Sequence, residues 1–85
     1  MQTTDIHQDI RDFLVTNFLF QRSEALRDDE PLLGNIIDSS GVVHFVMFLQ
    51  EHFAITVEDD EVTTDNLDSL QKAASFVTRK LNSKN

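Results

Sequence analysis

Asp38-Ser39-Ser40-Gly41-Val42-Val43-His44-Phe45-Val46-Met47-Phe48-Leu49-Gln50-Glu51-His52-Phe53 is the stretch that decides the fold, because its apolar residues return at a helical period. Taking about 100° per residue from Ser39, the residues Val42, Val46, Leu49 and Phe53 fall between about 280° and 340°, with Phe45 near 240°. That stripe is expected to face a core. On the same wheel Ser39, Val43, Met47 and Gln50 fall between about 0° and 80°, and Ser40, Glu51 and His44 follow out to about 140°. Since the first stripe already supplies a core, Val43 and Met47 are expected as a shallow apolar contact strip beside Ser39. Ser40, His44, Gln50 and Glu51 flank that strip, with His44 read most simply as a solvated side chain.

Upstream, the helical period continues. Thr4 can cap a first helix with Asp5 in its first turn, and Ile6, Ile10, Phe13, Leu14 and Phe20 recur on one face, so the helix should run to about Asn17 or Phe20. From 21 to 37 the pattern dissolves into charged residues, Pro31 and Gly34. That connection is longer than the roughly 12–15 residues usual for structureless loops in compact domains. Leu26, Leu32, Leu33, Ile36 and Ile37 are expected to tack it onto the core as an ordered crossover.

Downstream, Ala54-Ile55-Thr56-Val57 alternates like a strand, but four residues without a partner make no sheet, so the segment reads as an extended connector. Glu58-Asp59-Asp60-Glu61 is an acidic cluster, and Thr63-Thr64-Asp65-Asn66-Leu67 looks like a capped single turn. Asp68 is expected to begin a last helix, with Gln71 completing a capping box. Leu70, Ala73, Ala74, Val77 and Leu81 share one face of it, and Arg79, Lys80 and Lys84 favour its negative pole. With only two glycines and one proline to interrupt it, the chain is expected to be all-α. It reads as a small bundle of three main helices plus one short helix, with a long first loop, forming one domain over residues 1–85.

At 85 residues the chain has room for one modest core. Seven Lys+Arg against fifteen Asp+Glu give a net charge of −8, a sign that repels phosphate backbones and anionic lipid, so no nucleic-acid or membrane partner is expected. Between Glu24 and Asp68, twelve acidic residues stand against Arg27 alone, a field that would steer basic partner surfaces. There is no cysteine, and the three histidines are too scattered for a metal site. A calcium loop at Asp59, Glu61 and Thr63 is disfavoured because Thr64 stands where the turn needs glycine. No apolar run approaches a membrane span of roughly 18 residues, and the amino terminus carries no leader pattern, so a cytoplasmic monomer is expected. Ser39 with His44 or His52 lacks a third orienting group, and His52 falls near 220° on the wheel; catalysis is not expected.

Ser39 itself has two readings. Asp38-Ser39-Ser40 can be only a helix start, since Ser and Asp are preferred N-caps. Alternatively, Ser39 accepts a phosphate-linked group, which the unpaired N–H groups and positive dipole end of a helix would stabilise.

The run Leu32-Leu33-Gly34-Asn35-Ile36-Ile37-Asp38-Ser39-Ser40-Gly41-Val42-Val43 resembles the attachment motif of the acyl carrier protein family. The likeness covers nearly the whole chain. It takes in the Phe-Leu-rich end of the first helix, the long acidic loop, Phe53, the Ile55/Val57 connector, and Asn66-Leu67-Asp68-Ser69-Leu70 before the last helix. The resemblance implies 4′-phosphopantetheine, from coenzyme A, on the Ser39 hydroxyl, with Asp38 contributing to recognition by the transferase. It implies acyl or aminoacyl cargo held as a thioester, and as partners a phosphopantetheinyl transferase, an acyl- or aminoacyl-activating ligase, and synthases or acyltransferases. Docking is then expected along Ser40, Val43, His44, Met47, Gln50 and Glu51. Two features depart from the family pattern: Ser40 replaces the usual leucine, and the second helix has few glutamates. The latter points to a specialised fatty-acid or polyketide-type pathway. The reading of another class is an unmodified acidic helical protein–protein interaction domain in which Ser39 is merely a cap.

Overall fold

The computed structural model describes residues 5–18, 26–34 and 36–83. Helix α1 spans Ile6–Phe18 and begins where the Asp5 carboxylate accepts the Gln8 N–H at 3.1 Å, so Asp5 is itself the cap rather than a member of the first turn. Thr4, expected in that role, and Phe20, one expected end of the helix, lie outside the described residues. Ile10 and Leu14 are fully buried, with Ile6 and Phe13 half-buried beside them.

Within the described part of the crossover, 26–34 and 36–37, backbone and side-chain bonds fasten the chain to α1 and to the segment around Asp68 and Gln71. Asp68 accepts the Leu32 N–H on its carbonyl at 2.8 Å and the Leu33 N–H on its carboxylate at 2.9 Å. The Gln71 N–H reaches the Asp28 carbonyl at 3.0 Å, while the Asp28 carboxylate receives Arg11 at 3.2 Å and lies 3.0 Å from the His7 ring. Leu26, Leu32 and Ile37 are buried and Leu33 and Ile36 pack partly against the core, as expected of tacking residues. Gly34, at φ +77°, closes the turn that returns the chain to Ile37, whose carbonyl accepts the Gly34 N–H at 2.8 Å.

Helix α2 spans Ser39–Phe53. Its buried residues are Gly41, Phe45, Leu49 and Phe53, whereas Val42 and Val46 are only half-buried. The stripe is therefore centred nearer Phe45 than the wheel suggested. The cause is α1, whose Phe13 ring stacks at 6.0 Å on Phe45 and whose Phe18 ring occupies the space beside Gly41. A methyl at Gly41 would stand 2.9 Å from Phe18 and 3.0 Å from Ile37, so only glycine fits without displacement.

Helix α2 ends on Ala54, held left-handed at φ 56° with its N–H on the Gln50 carbonyl. A side chain in that region costs about 1 kcal/mol relative to glycine. Ala54→Gly is therefore expected to raise the thermal midpoint by roughly 4–8 °C, and Ala54→Val to lower it, in circular-dichroism melts.

The connector after Ala54 is extended and buries Ile55 and Val57. A single 3₁₀ turn at Asp59–Glu61 follows, then α3 at Thr64–Leu67, capped by the Thr63 hydroxyl. The last helix, α4, spans Leu70–Ser83 and not from Asp68: the Ser69 hydroxyl accepts the Lys72 N–H at 3.0 Å, because Asp68 is engaged by the crossover. Leu70, Ala73 and Val77 are buried and Ala74 and Leu81 half-buried, and Phe76 joins the buried face. Lys84 lies outside the described residues. The described residues contain four α-helices and no β-strand, and α4 packs against each of the others. No described helix is long and apolar enough to cross a membrane.

One acid of the cluster after α2 is structural. Glu61 accepts the Glu58 N–H at 2.9 Å and Lys80 at 2.9 and 3.1 Å, and these bonds, Glu58 first, hold its carboxyl below the ordinary value of 4.5. A depressed carboxyl stabilises the fold above its unfolded value, and that contribution is lost as pH falls through the folded one. Glu61→Gln should therefore melt lower than the parent at pH 7, and the two melts should converge below the normal glutamate range.

Candidate functional site

Helix α2 opens on Asp38, not on either serine. Asp38 is extended (φ −84°, ψ −176°), and its carboxylate accepts the Gly41 N–H at 2.8 Å and the Ser40 hydroxyl at 3.2 Å. Its carbonyl accepts the Val42 N–H at 3.0 Å, the first bond of the helix. Cap duty thus falls on Asp38, and Ser39 becomes the first helical residue. Ser39 is exposed, and among the described residues nothing engages its hydroxyl, whereas that of Ser40 is tied to Asp38. The two serines thus differ in whether their hydroxyl is held by the Asp38 carboxylate. Around Ser39 the first N–H groups of α2 point out of the helix end, where the dipole favours added negative charge by about 0.3–1 kcal/mol.

One and two turns along, Val43 and Met47 stand 61% and 50% exposed, large apolar side chains facing solvent on the Ser39 side of the helix. With Ser40, His44 and Glu51 they border an open groove of about 450 Å³, completed by Phe13 of α1 and by Phe48. The Phe13 and Phe48 rings stack with centroids 4.0 Å apart, and the exposed His44 ring stands edge-on to Phe13 at 5.3 Å. Phe13 belongs to the apolar face expected for α1, and Phe48 belongs to neither expected stripe of α2. Phe48 falls near 180° on the wheel, away from both stripes, and an aromatic ring left there requires cover from another helix. That requirement was the available signal.

The structure brings Ser40, Val43, His44, Met47 and Glu51 together around one groove, whose lining does not include Ser39. Gln50 is turned elsewhere: its side-chain carbonyl accepts the Val57 N–H at 2.8 Å and pins the connector to α2. His52 lies 3.1 Å from the Asp9 carboxylate and stacks on Phe48, a bridge between α1 and α2.

No protein-family model and no curated protein sequence matches the chain. Among solved structures, the solution structure of a holo acyl carrier protein from Nitrosomonas europaea is similar to it, with 33% identity and a TM-score of 0.76 over 93% of this chain and 99% of that one.

Proposed function

The chain belongs to the acyl carrier protein family, and on that premise we propose that it carries acyl groups on 4′-phosphopantetheine attached to Ser39. The observation that carries the assignment is the contrast between an exposed Ser39 hydroxyl, unengaged among the described residues, and a Ser40 hydroxyl bonded to the Asp38 cap. In the attachment reaction the Ser39 hydroxyl oxygen forms a bond to phosphorus while the pyrophosphate linkage of coenzyme A breaks. Adenosine 3′,5′-bisphosphate leaves, and the hydroxyl proton passes to a base of the transferase. Asp38 holds the first turn so that this oxygen projects into solvent, and the helix N-terminus stabilises the phosphodiester formed there. Magnesium belongs to the transferase reaction. Once attached, the arm supplies a terminal thiol on which cargo rides as a thioester.

The chain carries and does not catalyse. Its partners on this reading are a phosphopantetheinyl transferase, an acyl- or aminoacyl-activating ligase, and synthases or acyltransferases, met in the cytoplasm by one domain acting as a monomer. Val43 and Met47 form the apolar centre of the docking surface, with Ser40, His44 and Glu51 around them. Gln50 contributes by holding the connector in place. Because α2 presents Glu51 as its one acid, contact with partners rests more on apolar surface than on ion pairs, in keeping with a specialised fatty-acid or polyketide-type pathway.

The test is intact-mass spectrometry after incubation with coenzyme A, magnesium and a promiscuous phosphopantetheinyl transferase. A single phosphopantetheinyl addition is expected. Unchanged mass would leave an unmodified acidic interaction domain as the reading.

A further inference from the structure

Ser39 follows Ile37, the last residue of a closed turn, by two positions. The Leu32 carbonyl accepts the Ile36 N–H at 2.9 Å and the Ile37 N–H at 2.8 Å, and the Ile37 carbonyl accepts the Gly34 N–H at 2.8 Å. Leu32 and Ile37 have no exposed surface, and a methyl group of Ile37 lies against Gly41 in the first turn of α2. Where this turn sits therefore decides where the chain enters α2, and with it the direction taken by Asp38 and Ser39.

Burial of two apolar side chains keeps the turn on the core without setting its angle, since apolar contact is non-directional. Hydrogen bonds supply the direction, and here they come from Asp68. Its carbonyl accepts the Leu32 N–H at 2.8 Å, a bond open to any residue at that position, but the 2.9 Å bond from the Leu33 N–H ends on its carboxylate. An aspartate just before a helix ordinarily caps it; Ser69 takes that duty for α4, which leaves the Asp68 carboxylate to reach the crossover. Asp68 is itself held, because its N–H reaches the Thr64 carbonyl of α3 at 3.2 Å. A second rung from the Gln71 N–H to the Asp28 carbonyl, at 3.0 Å, keeps the crossover from swinging about the first.

We propose that Asp68 is a positioning residue of the attachment site: by holding the turn at Leu33 against the junction of α3 and α4, its carboxylate fixes how Asp38 and Ser39 are presented to the transferase. This rests on the assignment of Ser39 as the attachment site. Asp68 touches no reacting atom and acts through the turn, so its loss should lower the fraction of free chain that is ready for the enzyme without altering the step that follows binding.

The experiment follows loading of the full chain from coenzyme A and magnesium by a promiscuous phosphopantetheinyl transferase, read by intact mass at several carrier concentrations. Asp68→Ala should raise the KM for the carrier about two- to tenfold and leave kcat unchanged. Asp68→Asn, whose side-chain oxygen still accepts the Leu33 N–H, should load with the parent's constants. Asp68→Glu keeps the charge but moves the acceptor by a methylene, and should raise KM as alanine does. Amide hydrogen exchange on the unmodified chain reads the clamp apart from loading: the Leu33 N–H should be protected in the parent and exchange about tenfold faster in Asp68→Ala. An unprotected Leu33 N–H in the parent, a parental KM in both Asp68→Ala and Asp68→Glu, or Asp68→Asn loading as poorly as they do, would overturn the inference while leaving the carrier reading intact. Failure of the parent to load would overturn the carrier reading and the role of Asp68 in it, even with the Leu33 N–H protected.

Discussion

Ser39→Ala is expected to abolish phosphopantetheinylation, leaving all of the protein at the apo mass under conditions that convert the parent and Ser40→Ala fully. The reason is stoichiometric: on the proposed reading the Ser39 oxygen becomes the bridging atom of the phosphodiester, and alanine offers none. Ser39 is exposed and engages nothing among the described residues, so its truncation should change stability by no more than about 0.5 kcal/mol. A folded, unloadable variant separates a lost nucleophile from a lost structure. Ser40→Ala breaks one hydrogen bond to Asp38, worth about 1 kcal/mol, and keeps the reacting oxygen. Asp38→Ala is intermediate: it removes the cap of α2, at about 1 kcal/mol, and should slow transfer without abolishing it. Loading of Ser39→Ala with loss in Ser40→Ala would move the site by one residue.

Phe45→Ala should have the largest effect on stability, about 3–5 kcal/mol by urea denaturation. The ring has no exposed surface and stacks at 6.0 Å on Phe13, so its removal empties the contact between α1 and α2. Domains of this kind hold about 5–15 kcal/mol in total, and a small one sits toward the lower end, so the variant should be partly unfolded at ambient temperature. Met47→Ala, two residues further along the same helix but half-exposed, should cost under about 1 kcal/mol. Similar midpoints for both variants would contradict the placement of Phe45 at the centre of the core.

The contrast between Phe45 and Met47 also shows what could be read from the chain. The 3.6-residue period separated the two faces of α2 and placed Val43 and Met47 outside, because a helix imposes its own geometry on any sequence that forms it. The centre of the buried stripe depends on where the neighbouring helix lies, which no single-helix wheel contains. Hence the wheel centres the stripe on Val42 and Val46 rather than on Phe45, and it carries no sign of the closeness of Phe18 to Gly41. The choice of cap residue rests on a related cause. Asp5, Asp38 and Ser69 compete with adjacent serines, threonines and aspartates of similar capping strength, and tertiary bonds decide among them. Asp68 has every local qualification for a cap, yet it clamps a loop thirty-five residues away. The resemblance to acyl carrier proteins is legible from residue order alone, whereas the difference between Ser39 and Ser40 lies in which hydroxyl the Asp38 carboxylate engages.

Fragmentation mass spectrometry of the loaded wild-type protein tests the central claim most directly, since it reports which side chain bears the phosphodiester without any substitution. Fragment ions that carry the added group on Ser39 and leave Ser40 unmodified are the predicted result. A group found on Ser40, or on neither serine, would contradict it.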